Sequence, residues 1–306
     1  MKFRLHLLAL ISALVLLSLS HQPVTRVEAS SAVGHHHDDF DSEMPLREQE
    51  TIRQSFNVGS AHKLLEVDNV FGSIEVVGGQ SDQVQLVVNK TLRAESATKM
   101  EAAKKEVTLD VTNEADLLKL YVNGPFRCNC NDGCSGWRGD RGYMVKMDFQ
   151  LQVPRNIDLN LKTVNSGHVN VRDVKGNFSV HNVNGGIELQ DVGGGKALAR
   201  TVNGGVKVVF RENPKENADF GTINGNVDLY FVRGLSADFR FKNMNGGVYS
   251  DFPMTSLPTP AGTTERRDGK FIFRTDHSTG GRVGSGGLEI KADNLNGEIR
   301  VLERHE

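Results

Sequence analysis

Phe178-Ser179-Val180-His181-Asn182-Val183-Asn184-Gly185-Gly186-Ile187-Glu188-Leu189-Gln190-Asp191-Val192-Gly193-Gly194 decides the fold. Two short runs of alternating aliphatic and polar residues each end in glycine. Alternation puts Phe178 with Val180, and Ile187 with Leu189, on one face of an extended strand. The Asn-Gly pair supplies positive φ at little steric cost, so the chain turns between the runs. One such unit cannot bury its apolar face alone. Stacked copies bury a continuous core, with strands about 4.8 Å apart.

The unit recurs on both sides of this stretch. Leu159-Asn160-Leu161-Lys162-Thr163-Val164-Asn165 and Val169-Asn170-Val171-Arg172-Asp173-Val174-Lys175-Gly176 precede it, and Ala197-Leu198-Ala199-Arg200-Thr201-Val202-Asn203-Gly204-Gly205 follows. Later copies carry Ile223-Asn224-Gly225, Met244-Asn245-Gly246-Gly247 and Leu295-Asn296-Gly297. Asn165, Asn184, Asn203, Asn224 and Asn245 are separated by 19, 19, 21 and 21 residues. The full repeat is therefore about twenty residues, with two unlike halves. Asn165, Asn184-Gly185, Asn203-Gly204, Asn224-Gly225, Asn245-Gly246 and Asn296-Gly297 are assigned as structural corners. Asparagines recurring once per coil can hydrogen-bond along the axis as a ladder. A meander of hairpins would also use Asn-Gly. Near-identical corners at this spacing favour a solenoid, because hairpins need not alternate two corner types. The expected fold is all-β: a single-stranded β-helix of about 20-residue coils.

The rest of the chain is organised around this repeat. Lys2 and Arg4 precede an apolar run, Leu7 to Leu19, broken only by Ser12 and Ser18. It is too short to span a bilayer and fits a signal peptide, residues 1–29, with cleavage after Ser20 or Ala29. No second run of spanning length follows, so no transmembrane segment is expected in the mature chain. Residues 30–62 are polar, include His35-His36-His37, and read as a flexible linker. The triple histidine is read as solvated, with metal binding as its alternative. Order is expected from residue 63 to 306. Ser96 as N-cap, then Ala97, Met100, Ala102 and Ala103, predict one short helix. Val84–Val88, Val107–Val111, Leu117–Val122 and Met144–Val153 read as strands. Residues 123–142 form a cysteine loop. Residues 253–287 lack the repeat and read as an inserted loop before a final coil.

Two features also carry a family resemblance: the corner Thr201-Val202-Asn203-Gly204-Gly205-Val206, and the closing segment from Gly284-Ser285-Gly286 to Asn296-Gly297-Glu298-Ile299. Together they resemble the bacterial putative-adhesin family of repetitive β-solenoid domains, over roughly residues 64–301. The resemblance implies a right-handed β-helix and an envelope or surface setting. It brings no catalytic residues, and the cysteine loop is not part of its pattern. Fold alone does not assign function.

Chemistry is sparse. Cys128, Cys130 and Cys134 are the sharpest local feature. In an oxidising compartment they suit one disulfide and one free thiol. A zinc-type site is the alternative and needs a fourth ligand, from Asp132, Asp140 or a distant histidine. Gly193-Gly194-Gly195-Lys196 has Gln190 where a phosphate loop needs glycine and Ala197 where it needs Ser or Thr. Gly284-Ser285-Gly286 is followed by Glu289 where a dinucleotide motif wants glycine. The Gly-Gly-x-Gly-x-Asp repeat of calcium-binding rolls is absent. No catalytic, cofactor or metal residues are assigned. His168, His181, Glu188, Asp228 and Glu289 are outward strand positions, and a carboxylate pair on neighbouring coils would be needed for glycoside cleavage. Trp137 is read as an ordinary, partly covered tryptophan, with a small binding rim beside Arg138 and Arg141 as the alternative. A net charge of −2 argues against nucleic acid as the main partner. The expected function is non-enzymatic: an exported periplasmic, cell-surface or secreted protein presenting a rigid face to an envelope polymer or protein. The alternatives are a carbohydrate-active enzyme on a β-helix, and metal or redox sensing through the cysteine loop.

The exported protein should show one free thiol per chain without reductant. Three thiols appearing only after anaerobic metal removal would instead establish a metal site.

Overall fold

The computed structural model describes residues 44–58, 63–127, 141–259, 263–267, 270–274 and 278–305. The strands, numbered in chain order, begin with β1 (Leu46–Asn57), β2 (Leu64–Asp68), β3 (Ile74–Gly79) and β4 (Gln83–Ala94). Helix α1 (Ala97–Glu106) leads to β5 (Thr108–Asn113), β6 (Leu117–Asn123) and β7 (Tyr143–Pro154). Short strands follow: β8 (Asp158–Lys162), β9 (Val169–Arg172), β10 (Phe178–His181), β11 (Ile187–Val192), β12 (Ala197–Arg200), β13 (Val206–Phe210), β14 (Ala218–Asn224) and β15 (Val227–Phe231). Then come β16 (Ala237–Asn245), β17 (Val248–Ser250), β18 (Thr255–Leu257), β19 (Thr263–Arg267), β20 (Lys270–Arg274) and β21 (Thr279–Val283). β22 (Leu288–Asn296) and β23 (Ile299–Glu303) close the chain. Among the described residues the protein is all-β with one helix. Its strands form two large mixed sheets, of ten and eleven strands, and a separate hairpin, β19–β20.

The repeat dictates the central part. From β8 to β15 successive strands alternate between the two sheets. Each pairs in parallel with the strand one repeat away, Ile187 opposite Val206 and Val206 opposite Val227, until the late strand β23 joins with Ile299 opposite Val227. Side chains alternate as the sequence requires. In β15, Val227, Leu229 and Phe231 are buried while Asp228 and Tyr230 are not. The inward faces meet in one core. Phe210 stacks on Phe231 at 5.1 Å between centroids, and Phe239 on Phe241 at 5.4 Å.

The corners are built as two columns of hydrogen bonds. On the outside, Asn184 Nδ2 donates to Asn165 Oδ1 (2.7 Å), Asn203 to Asn184 (2.8 Å) and Asn224 to Asn203 (2.8 Å). Asn296 then donates to Asn224, and Asn245 to Asn296, both at 2.8 Å. The ladder expected from the sequence exists, but Asn296 stands between Asn224 and Asn245. On the inside, the residue two before each of these asparagines points into the corner. Thr163, Asn182, Thr201, Thr222, Asn294 and Asn243 each donate to a backbone carbonyl of the adjacent turn: Gly72, Gly167, Gly185, Gly204, Gly225 and Gly297. Leaving a buried carbonyl without such a donor costs about 1–3 kcal/mol, and Gly72 O has a second donor in Asn69 Nδ2 at 3.2 Å. Glycine follows the ladder asparagine at every corner but the first, where Ser166 takes φ +56°, and does so for two reasons. Gly204 has φ +148°, and a Cβ there would lie 2.5 Å from Gly185 O.

Three expectations are corrected. The chain is not one uniform single-stranded β-helix wound in sequence order. β2–β3 lies between β6–β7 and β8–β9, and β22–β23 lies between β14–β15 and β16–β17. A parallel stack has two open edges that invite association. The chain covers three of the four sheet edges with antiparallel strands: β4 on β7 with β1 on β4, β5 on β6, and β21 on β16 with β18 on β21, while β17 ends the ten-stranded sheet. The supposed linker, residues 30–62, contains the 12-residue β1. Its only apolar positions turned partly inward are Ile52 and Phe56, too few to give a period. The supposed inserted loop, residues 253–287, supplies β18 to β21. The expected helix forms, with Ser96 Oγ accepting from Lys99 N at its start. The proposed signal peptide and the cysteines lie outside the described residues.

Three substitutions test the corners by thermal unfolding. Gly204→Val should cost about 2 kcal/mol or more, through positive φ and the carbonyl clash. Asn203→Ala should cost less, about 1 kcal/mol, because its ladder bonds are exposed. Asn294 Oδ1 is buried with no donor, so Asn294→Thr, which matches Thr222, should leave Tm unchanged or raise it. An unchanged Tm for Gly204→Val would refute the corner assignment.

Candidate functional site

The site follows from a mismatch of strand lengths. β4 and β7 have 12 residues, whereas the strands of the repeat from β8 to β13 have four to six. Only Phe149–Pro154 of β7 pairs with β3. Tyr143–Asp148, with Asn89–Ala94 of β4 and Leu46–Thr51 of β1, continues past the stack as a three-stranded arm. A cleft of about 1530 Å³ lies between this arm and the first corners, Val70-Phe71 and Val164-Asn165-Ser166. That volume exceeds the roughly 300–1,000 Å³ of a small-molecule pocket.

Its charge is predominantly basic. Arg47, Lys90, Arg93, Arg127 and Lys146 line it, against Glu50 and Asp148. Several of these groups are committed to the fold. Arg127 donates to Asp68 Oδ1 and to the carbonyls of Asp68 and Val122, and lies 4.3 Å over the Tyr121 ring. Asp148 Oδ1 accepts from Ser73 N and Oγ, while Oδ2 is 3.2 Å from Lys146. Tyr143 donates to Glu106, and burial together with that carboxylate pushes its pKa up to about 12. Lys90 is 7% exposed and donates to Val107 O at the end of α1. Its burial lowers its pKa, with Glu50 opposing.

Arg47 and Arg93 also line it. They stand directly opposite one another across β1 and β4, on the side that also carries Thr91 and Lys146. Like charges directly opposite destabilise a strand pair by a few tenths of a kcal/mol or more. Arg47 makes no ion pair with a described residue. One row of the repeat's outer surface alternates charge. Glu188, Lys207, Asp228 and Arg300 follow in register, with Lys207 Nζ 2.9 Å from Glu188 and Arg300 forked onto Asp228 at 2.6 and 2.8 Å.

The sequence-derived candidates are thus dispersed. The corner asparagines and glycines converge into the ladder. His168 Nδ1 accepts from Gly186 N, and His181 is half-buried, its pKa lowered by burial and then by Lys162 and Arg200. Glu188 and Asp228 stand two strands apart, about 10 Å, with Lys207 between them. Glu289 lies beside Lys291 and Arg240. No group of three metal-ligating side chains occurs among the described residues, and the cysteines are not among them. The basic cleft was missed because its cations come from three strands far apart in sequence. Their only local signal is that Arg93 and Lys146 hold outward positions in alternating strands.

No family model and no curated protein matches the chain. Solved structures do resemble it. A putative cell adhesion protein from Clostridium sporogenes aligns over 84% of this chain and 100% of its own, at 10% identity and TM-score 0.39. A putative adhesin from Bacteroides fragilis aligns over 83% and 97%, at 11% identity and TM-score 0.31. A putative lipid binding protein from Parabacteroides distasonis aligns over 83% and 97%, at 9% identity and TM-score 0.31. The likeness to adhesin-titled proteins expected from the corners is therefore found among solved structures. No helix among the described residues is long and apolar enough to cross a membrane.

Lys90 generates a pH prediction. Its folded pKa lies below the ordinary 10.5, so between the two values the unfolded chain binds more protons. Stability from this group therefore rises as pH climbs through that window. Lys90→Met should flatten that rise in Tm measured from pH 8 upward. An identical pH profile would show that Lys90 is not desolvated.

Proposed function

We propose that the protein is a non-enzymatic, exported envelope or surface protein that presents a rigid β-solenoid face for adhesion, binding or assembly. The parallel stack is read as a solenoid of two strands per turn, with the right-handed crossovers that parallel connections almost always take. One observation carries the proposal. The corner columns run through successive turns and lock the stack along its axis, while the polar side chains of the outer faces pair with one another. Such a body suits the display of an extended binding surface.

Capture from native envelope extract tests this. The protein should retain a specific polymer or protein, equally with all three cysteines replaced by serine, and should release no product from a glycan panel. Capture that needs the cysteines would move the function to residues 123–142. Turnover abolished by a single carboxylate substitution would replace the proposal with an enzymatic one.

A further inference from the structure

We infer that Asn245-Gly246, the corner of the β16–β17 turn, is a self-modification site: among the ladder's Asn-Gly pairs it is the one that deamidates in the folded protein. The inference goes beyond the function proposed above and does not depend on it. It starts from the one sheet edge that no antiparallel strand covers.

Five ladder corners carry Asn-Gly: Asn184-Gly185, Asn203-Gly204, Asn224-Gly225, Asn296-Gly297 and Asn245-Gly246. Such a pair is chemically reactive, because the glycine amide nitrogen can attack the asparagine Cγ and no Cβ hinders the approach. The stack ties that nitrogen down turn by turn. Gly185 N donates to Asn203 O (2.8 Å), Gly204 N to Asn224 O (2.8 Å), Gly225 N to Asn296 O (3.0 Å) and Gly297 N to Asn245 O (2.9 Å). Each acceptor belongs to the next turn along the stack. β17 ends the ten-stranded sheet, so the β16–β17 turn has no next turn. Gly246 is exposed, and its N–H donates to no described residue.

The side chain is freed for the same reason. Asn184, Asn203, Asn224 and Asn296 are held at both ends of the amide: Nδ2 donates to one rung and Oδ1 accepts from the next. Asn245 Nδ2 donates to Asn296 Oδ1 at 2.8 Å, but its own Oδ1 accepts from no described residue. One exposed bond holds it where two hold the others. Water reaches this turn as well. Val248 is 41% exposed, although Ile299, opposite it one turn in, is buried.

The step balances with water as the sole co-reactant. The Gly246 amide nitrogen loses its proton and bonds to Asn245 Cγ, the Cγ–Nδ2 bond breaks, and Nδ2 leaves as ammonia. Water then opens the five-membered imide at either carbonyl, giving Asp or isoaspartate. Nothing is oxidised or reduced. Either product carries a carboxylate in place of the amide. It has no N–H for Asn296 Oδ1, so the reaction removes the outermost rung and leaves a negative charge at the uncovered edge.

Incubating the folded protein in mildly alkaline, oxygen-18-labelled water, then digesting it for peptide mass spectrometry, tests the inference. Asn245 should convert, with one heavy oxygen taken from solvent. It should do so about tenfold or more faster than Asn184, Asn203, Asn224 and Asn296, where attack must first break two further hydrogen bonds. The rate should rise with pH, because the attacking nitrogen must be deprotonated. In protein unfolded by urea the five pairs should react at similar rates, since the selectivity belongs to the fold. Asn123-Gly124, outside the ladder, is resolved as its own peptide. Amide exchange supplies a readout that needs no conversion: the Gly246 N–H should exchange faster than those of Gly185, Gly204, Gly225 and Gly297. Equal conversion at the five corners of the folded protein would overturn the inference. So would an Asn245 that reacts only when unfolded, or equal protection of the five glycine amides.

Discussion

A chain that turns back and forth between two stacked sheets must bury its turning carbonyls, and the whole structure depends on how those carbonyls are bonded. At each repeat corner one buried Thr or Asn donates to the turning backbone of the adjacent turn. Thr163 reaches Gly72, Thr201 reaches Gly185, Thr222 reaches Gly204 and Asn294 reaches Gly225. The bond crosses between turns rather than closing within one, so it sets the spacing and register of neighbours. Glycine is then required beside it, since the adjoining backbone passes too close for a Cβ. The exposed asparagine ladder runs outside this column and repeats the same spacing at the surface.

Regular stacking creates a problem at each end, because a parallel ladder has no natural stop. The protein solves it by changing the order of winding. The turn laid first, β2–β3, and the turn laid last, β22–β23, both lie inside the stack, and antiparallel strands cover three of the four sheet edges. At the N-terminal end those covering strands are longer than the stack requires. Their surplus length forms the arm, and the arm forms the cleft. The candidate site is thus a by-product of edge protection, placed where the repeat ends rather than within it.

Electrostatics divides the surface in the same way. Over the stack, acids and bases neutralise one another in register, and Arg200 joins Asp219 and Asp293 across the gap left by Gly221. Such exposed pairs contribute little stability individually, but they leave the faces without a strong field. On the arm, Arg47 stands opposite Arg93 across β1 and β4.

The sequence by itself determined the repeat, the inward and outward sides of each strand, the asparagine-glycine corners and the single helix capped by Ser96. These depend on periods of two and of about twenty residues, and on residues such as Gly204 whose backbone geometry few others tolerate. The order of the turns, the place of Asn296 between Asn224 and Asn245, and the strand hidden in Leu46–Asn57 were decided only by the tertiary structure. Near-identical corners are interchangeable as local patterns, so the sequence carries no signal for which copy stacks on which. The cleft was equally hidden. Arg47, Arg93 and Lys146 become neighbours only through antiparallel register between strands that begin at positions 46, 83 and 143, and that register is set by long-range packing of the buried faces.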